Sequence, residues 1–242
     1  MEFLEYLQER GNAQSTKHQR LMAIRSFWDY LLNMEIATKD ITKGIKIPYK
    51  YKEQKYFSHK QMKQLLNAVK ESNTSKKARD YTIILMFLLL GLRNSELRNI
   101  KIDDINMKTG KLRILGKGQR IRYTYCKENI IESIEEWLEV RKYIKIMKGE
   151  EEYLFLSQQG RRINRDYLNV VIKKYCAMAG FNPKDYHVHS LRHSAITDEW
   201  RRTKDIKTTQ SFSGHKSVEV LMKTYVHNNE EELRESIMAS DL

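Results

Sequence analysis

Cysteines, which can cross-link a fold, and prolines and glycines, which interrupt helices, are scarce in this sequence. It has two cysteines, Cys126 and Cys176, which show neither metal-ligand spacing nor a disulfide framework, and this usage is typical of a reducing cytosol. Two prolines and ten glycines in 242 residues leave few breaks for helices. We therefore expect a mainly helical protein in the cytoplasm.

Segments that direct a chain to a membrane are also lacking. The first ten residues, MEFLEYLQER, are charged and amphipathic, unlike a signal peptide. The longest apolar run, residues 83–92, is too short to span a bilayer and predicts a buried core helix. Motifs for binding nucleotide phosphates, dinucleotides or catalytic zinc are missing. We expect no membrane partner, no nucleotide cofactor and no metal.

Acidic residues are too few to balance the basic ones. The chain has 44 lysines and arginines against 31 acidic residues, and its formal net charge is +13. A surplus of this size draws a protein to polyanions, among which nucleic acid is the obvious candidate. A basic protein without such a role is the alternative that charge alone leaves open.

Hydrophobic spacing and turn residues divide the chain into two domains. Residues 16–34 carry apolar side chains at helical spacing, with Thr16 as the expected N-cap. Residues 46–57 contain a proline and several lysines without apolar periodicity, which predicts a linker, and Ser58 then begins a helix in a capping box with Gln61. The predicted divisions are a small helical domain over 1–48, a linker over 49–57, and a larger domain over 58–242 that ends in a helix over 230–239.

The larger domain contains one clear β-hairpin. Residues 110–125 alternate apolar and basic side chains on both sides of Gly116-Lys117-Gly118, and residues 153–157 predict a further short strand. The fold class is therefore mainly α with a small β-hairpin (α+β). Helices are predicted over 58–72, 77–90, 128–147, 164–179, 188–201, 204–212 and 217–224.

Polar residues that suit binding or catalysis follow the apolar run directly. In GLRNSEL, residues 91–97, Arg93 lies where a buried helix meets a polar turn, and Glu96 is placed to hold its guanidinium by a charge-assisted bond. A structural Arg–Glu pair with no further role explains this stretch equally simply.

Histidine and arginine recur in HVHSLRHSAIT, residues 187–197. His189 and Arg192 are three residues apart and share a helix face, where arginine offers a fork for phosphate oxygens and histidine can move a proton near neutral pH. The alternative is that these histidines cap helices and fill polar pockets. Lys117, at the hairpin tip, is either a solvated turn lysine, part of a phosphate-binding hairpin, or a catalytic group.

Five short motifs follow one another in the larger domain: GLRNSEL, the lysine of GKGQR, HSLRH, SGHKSV and TYVH. In this order they resemble the tyrosine recombinase/integrase family, in particular its Xer-like and phage-integrase members. The resemblance covers residues 56–227, and residues 1–48 resemble a shortened form of the family's N-terminal DNA-binding domain. It implies a tyrosine recombinase catalytic domain in an enzyme that cleaves and rejoins DNA strands at a specific site, without metal or ATP.

The resemblance assigns the central chemistry to four residues. Tyr225 is implied as the nucleophile that forms a covalent 3′-phosphotyrosine, and Arg93 and Arg192 as the clamp on the scissile phosphate. Glu96 is implied to support Arg93. The implied partners are double-stranded DNA and further copies of the chain, assembled as a tetramer on two DNA sites.

Proton transfer and hydrogen bonding are assigned in the same way to the remaining residues. His189 is implied to assist removal of the tyrosine proton, Lys117 to protonate the leaving 5′ oxygen, and His215 to donate a hydrogen bond to a phosphate oxygen. Ser213 departs from the leucine usual before the Gly-His pair, and we expect looser packing there.

Two other functions stay open at this point. A type IB topoisomerase uses similar chemistry to relax supercoils as a monomer. A DNA-binding regulator of the same fold would bind without cleaving. Covalent attachment to a nicked or suicide DNA substrate separates the recombinase from the regulator.

Overall fold

The chain divides into two compact units, Met1–Glu53 and Gln54–Leu242. The computed structural model describes residues 2–48, 55–116, 118–215 and 217–225. The predicted helix over 230–239 lies outside the described residues. Within the described residues, no helix combines the length and the apolar character needed to cross a membrane.

The first unit contains two helices, α1 (Glu2–Glu9) and α2 (Gln14–Asn33). Leu7 and Leu21 are buried within it, and the Trp28 indole donates a hydrogen bond of 2.8 Å to the carbonyl of Lys39. The prediction that Thr16 caps α2 is wrong. The N-cap is Ala13, three residues earlier, and the amide of Thr16 already donates to the Ala13 carbonyl inside the helix.

Among the described residues, the second unit contains eight α-helices, a 3₁₀ helix (Ile102–Asp104) and a two-stranded sheet. Six of the α-helices lie close to their predicted bounds. The helix predicted over 128–147 ends at Arg141, after which the amide of Met147 bonds to the Gly160 carbonyl, and the short helix over Asn94–Arg98 was not predicted. The helices are α3 (His59–Lys70), α4 (Lys77–Leu90), α5 (Asn94–Arg98), α6 (Glu128–Arg141), α7 (Arg165–Met178), α8 (Val188–Thr203), α9 (Ile206–Ser213) and α10 (Val218–Tyr225).

Helix α4 forms the centre of the larger core. Its apolar run is almost wholly buried, as the sequence predicted, and it packs against α3, α6 and α8. The indole of Trp137 on α6 is buried beside it. At its start lies a buried ion pair, Arg79 with Asp80, whose carboxylate also accepts from the Tyr175 hydroxyl. A charge that is buried with satisfied partners is tolerated in such a core.

The Ser58 capping box is confirmed. The Ser58 hydroxyl accepts from the Gln61 amide, and the Gln61 side chain accepts from the Ser58 amide at 2.9 Å. This reciprocal pair satisfies amides that have no partner inside α3 and defines where the helix begins.

The hairpin is also confirmed. Strands β1 (Lys111–Leu115) and β2 (Ile121–Tyr125) pair antiparallel, with Lys111 opposite Tyr125 and Leu115 opposite Ile121. Leu112 and Ile114 point into the core, and the alternate residues of β1 are exposed, as a half-buried strand requires. The hairpin therefore packs on the domain through one face and leaves its other face to solvent.

Residues 153–157 do not form the predicted strand. Their backbone groups bond to two different segments: the Leu154 amide donates to the Ile100 carbonyl, and the Ser157 amide donates to the Arg161 carbonyl. These contacts make isolated bridges, Lys101 with Tyr153 and Leu156 with Arg162. Because no single neighbour pairs along the stretch, its strand-like composition produces no ladder.

Candidate active site

Arg93 is placed by the sharp end of α4. Gly91 caps that helix in the left-handed conformation, with φ of 56°, and the chain turns there before α5 begins. A side chain at this glycine would lie 2.9 Å from the ring of Phe212, so both the backbone angle and the space favour glycine. Arg93 then occupies the N-cap position of α5, and Glu96 lies in the first turn of that helix.

The Glu96 carboxylate is the centre of a buried charge network. It accepts from the Arg93 amide at 2.8 Å and from the Arg93 guanidinium at 2.7 Å. The Arg122 guanidinium on β2 donates to both of its oxygens, at 2.6 and 3.0 Å. The predicted Arg93–Glu96 pair is confirmed, but the motif did not reveal Arg122, which holds the same carboxylate in a bidentate bond.

This network lowers the pKa of the Glu96 carboxyl. Burial alone would raise it, but the hydrogen bonds and charge of Arg122, together with the bonds from Arg93, outweigh burial and lower the pKa to about 2. Glu96 is therefore ionised at neutral pH. One carboxylate serves two guanidiniums, so the surroundings keep a surplus of positive charge.

Arg192 is held on α8 in a different manner. Its side chain is buried, its Nη1 donates to the carbonyl of Gly91, and its Nη2 donates to the carbonyl of Ser213 at 2.6 Å. These bonds fix the guanidinium between the end of α4 and the end of α9. Both acceptors are backbone carbonyls, which orient the guanidinium of Arg192.

The turn after α9 brings the two halves of the site together. Gly214 caps α9 in the left-handed conformation, with φ of 64°, and its carbonyl accepts from Arg93 Nη2 at 2.9 Å. A side chain at Gly214 would lie 3.3 Å from the guanidinium of Arg122. Arg93 and Arg192 therefore donate to consecutive carbonyls, those of Gly214 and Ser213, immediately before His215.

His215 follows this turn and is partly buried. Its Nδ1 lies 2.8 Å from the Ser213 hydroxyl, and its carbonyl accepts from the Gln210 side chain at 3.1 Å. Burial, then the positive charges of Arg192 and Arg93, lower the pKa of its imidazole to about 4. The ring is consequently neutral at pH 7.

His189 lies on α8 one turn before Arg192. The protein that surrounds it lowers the pKa of its imidazole although the side chain reaches solvent, and the charge of Arg192 acts in the same direction. The two neighbouring histidines have structural roles, as the alternative in the sequence analysis predicts. His187 is the N-cap of α8, and the His193 ring stacks on Tyr56 with centroids 5.2 Å apart. Of these three histidines, His189 alone remains a candidate for proton transfer.

Two of the candidate residues cannot be placed by their side chains. Lys117 lies outside the described residues, between the two strands of the hairpin. Tyr225 is the last residue of α10, whose backbone is described but whose terminal side chains are not. Helix α10 packs against α8 and α9, the helices that carry Arg192 and precede His215. The structure therefore brings Arg93, Arg192 and His215 together.

The described part of the site contains three oriented guanidiniums. The Arg93 and Arg122 guanidiniums share the Glu96 carboxylate as an ion-pair partner, and the Arg192 guanidinium donates to the Gly91 and Ser213 carbonyls. Oriented guanidiniums and a histidine suit the oxygens of a phosphate group and the charge that develops when it is attacked.

Comparison with known proteins agrees with this chemistry. Residues 55–232 match the model of the phage integrase family. The chain is 34% identical over 237 residues to tyrosine recombinase XerC of Caldanaerobacter subterraneus subsp. tengcongensis, and the match covers 97% of this chain and 65% of that protein. It is 28% identical to tyrosine recombinase XerC of Staphylococcus carnosus, covering 96% of this chain and 77% of that one.

Solved structures show the same fold. The XerH site-specific recombinase bound to a palindromic difH substrate superimposes with a TM-score of 0.81 at 24% identity, over 98% of this chain and 70% of that one. The Tn1549 transposon integrase in complex with transposon right-end DNA gives a TM-score of 0.79 at 18% identity, over 98% and 82% of the two chains. The match over residues 55–232, which is more than half of the chain, shows that the chain belongs to the phage integrase family.

Proposed function

We propose that this protein is a site-specific DNA recombinase that cleaves and rejoins strands through a covalent 3′-phosphotyrosine at Tyr225. The observation that carries the proposal is the pair of guanidiniums on the Ser213 and Gly214 carbonyls, directly before His215. The relatives at 34% and 28% identity are named tyrosine recombinases, which supports the same reaction here.

Arg93 and Arg192 bind the two non-bridging oxygens of the scissile phosphate. A phosphodiester resists attack because it is an anion, and its charge grows as a fifth oxygen approaches phosphorus. Guanidiniums that are already oriented stabilise this charge without reorganising during the reaction, which is commonly the largest catalytic effect. Their backbone carbonyl partners hold them in place, and Glu96 with Arg122 holds the α5 turn from which Arg93 extends.

The proton transfers balance over one cleavage step. The Tyr225 oxygen bonds to phosphorus as its proton passes to His189, and the bond from phosphorus to the 5′ oxygen breaks as Lys117 protonates that oxygen. A phenol with a pKa near 10 needs such a base or a cationic pocket. His189 is suited to accept a proton because its lowered pKa leaves it neutral near pH 7. The phosphotyrosine keeps the bond energy for rejoining.

The partner that fits this site is double-stranded DNA in the cytoplasm. The net charge of +13 supplies long-range attraction to the phosphate backbone. XerH and the Tn1549 integrase were solved in complex with DNA, which supports DNA as the partner here. We extend the proposal to a tetramer of this chain on two DNA sites, because exchange of strands between two duplexes requires four cleavages.

Covalent capture tests the proposal. DNA fragments that bind the protein are first selected from host DNA. Suicide duplexes are then made from them by placing a nick so that the cleaved strand end dissociates. These duplexes should yield a protein–DNA adduct on denaturing gels. Tyr225→Phe should abolish the adduct and leave gel-shift binding nearly unchanged, because it removes only the phenolic oxygen.

Tyr186→Phe is the matched control. Tyr186 is buried, and its ring stacks on that of Phe57 with centroids 4.1 Å apart. The Tyr186→Phe protein should therefore still form the adduct, although this tyrosine has lost its phenolic oxygen. An adduct that persists in Tyr225→Phe would move the nucleophile elsewhere. Binding with no adduct in the wild type would identify a silent DNA-binding protein, and relaxation of supercoils without strand exchange would identify a topoisomerase.

A further inference from the structure

Ser213 joins two parts of the proposed phosphate site. It is the last residue of α9 and is fully buried, with 0% of its surface exposed. Its backbone carbonyl accepts from Arg192 Nη2 at 2.6 Å, and its hydroxyl lies 2.8 Å from His215 Nδ1. The side chain and the main chain of one residue therefore contact two different members of the site.

The single hydroxyl proton of Ser213 has two acceptors within reach. One is His215 Nδ1 at 2.8 Å, and the other is the Gln210 carbonyl at 3.2 Å. Hydroxyl hydrogen bonds to oxygen cluster near 2.7–2.8 Å and seldom exceed about 3.0 Å, so the carbonyl is a poor acceptor at this distance. The distance of 2.8 Å to the ring nitrogen is the shorter of the two and favours Nδ1 as the acceptor of the hydroxyl proton.

This direction determines the tautomer of the histidine. A neutral imidazole carries one proton, and a ring nitrogen that accepts a hydrogen bond has none. With Nδ1 as the acceptor, the proton must lie on Nε2. The backbone of the histidine is anchored as well, because Gln210 donates to the His215 carbonyl at 3.1 Å and Gly214 holds the preceding turn.

We propose that Ser213 is a positioning residue whose hydroxyl donates to His215 Nδ1 and holds the neutral ring with its proton on Nε2. This inference rests on the proposed function in one respect: the Nε2 proton is the one that His215 presents to a phosphate oxygen. A ring held in this tautomer donates that bond without first taking up a proton. The other tautomer would turn a lone pair toward the anion.

Nitrogen chemical shifts test the tautomer without any DNA. Long-range proton–nitrogen correlation spectra of the full, ¹⁵N-labelled chain at pH 7 should show His215 with protonated Nε2, the signals being assigned by their loss in His215→Gln. Ser213→Ala keeps the carbonyl that binds Arg192 and removes only the hydroxyl, so this preference should weaken toward a mixture. Ser211→Ala, an exposed serine on the same helix, should leave the signals unchanged. A protonated Nδ1 in the wild type, or identical spectra for wild type and Ser213→Ala, would overturn the proposal.

Cleavage of suicide DNA gives a second measurement. Ser213→Ala should slow adduct formation about fivefold, the effect expected for the loss of one hydrogen bond. In a His215→Gln background the same substitution should have no further effect, because the hydroxyl acts through the ring. Equal slowing in both backgrounds would show that Ser213 acts through Arg192 instead. If the wild type cleaves no DNA, the proposed function fails, while the nitrogen spectra still decide the tautomer.

Discussion

Replacing Glu96 by glutamine should destabilise the larger unit strongly. The substitution keeps the size of the side chain but removes the charge that the Arg93 and Arg122 guanidiniums share. One carboxylate oxygen also becomes an amide donor that faces other donors. A buried charge pair that loses one partner leaves the other charge uncompensated, which commonly costs about 3–5 kcal/mol.

The pKa of Glu96 gives a second value for the free energy that its charge contributes to folding. Its decrease from 4.5 to about 2 corresponds, at about 1.4 kcal/mol per pH unit, to roughly 3 kcal/mol of stabilisation of the folded state. Because the folded-state pKa is lowered, this contribution is complete above pH 4.5 and is lost as the pH falls toward about 2. We therefore expect Glu96→Gln to lower the free energy of unfolding by about 3 kcal/mol at pH 7, and by about 1 kcal/mol less at pH 4.

Urea denaturation at the two pH values measures this difference. Hydrogen exchange of the α4 amides reports on the larger unit alone, since two units need not unfold in one step. The control is Glu139→Gln, which removes an exposed pair with Lys142 on α6 and should change stability by less than about 0.5 kcal/mol. A loss below about 1 kcal/mol for Glu96→Gln, or a loss that does not depend on pH, would refute the view of Glu96 as a charged anchor.

Two further predictions concern proton transfer and acid. Lys117→Ala should slow cleavage, and a substrate with sulfur at the 5′ bridging position should restore much of the rate, because a thiolate leaves without a general acid. The same substrate should not restore the rate of Arg192→Ala. Equal rates of the two variants on this substrate would show that Lys117 is not the general acid. The pKa of His215 is about 4 when folded and 6.5 ordinarily, so the unfolded state binds more protons between these values and stability falls as the pH decreases through them. His215→Gln should therefore lose less stability than the wild type between pH 7 and pH 5 in urea titrations, and identical pH dependence would contradict the lowered pKa.

The sequence by itself determined the elements whose signals are local. The apolar run of residues 83–92 is longer than a strand and has no polar interruption, so it predicted the buried helix α4. Alternation about a Gly-Lys-Gly turn predicted both strands of the hairpin, and the Ser58–Gln61 box depends on residues three apart. The order of the short motifs predicted that Arg93, Arg192 and His215 belong to one site, and these residues lie close together in the fold.

Only the tertiary structure decided which distant groups meet. Arg122 resembles any basic residue of an alternating strand, and its bond to Glu96 joins two residues that are 26 positions apart in the sequence. Residues 153–157 have the composition of a strand, but the fold gives them no continuous neighbour to pair with. The carbonyls that hold Arg93 and Arg192 became visible only when the fold brought the ends of α4 and α9 to these two side chains. Backbone carbonyls carry no sequence signal, since every residue has one, and their use depends on where the folded chain brings a donor.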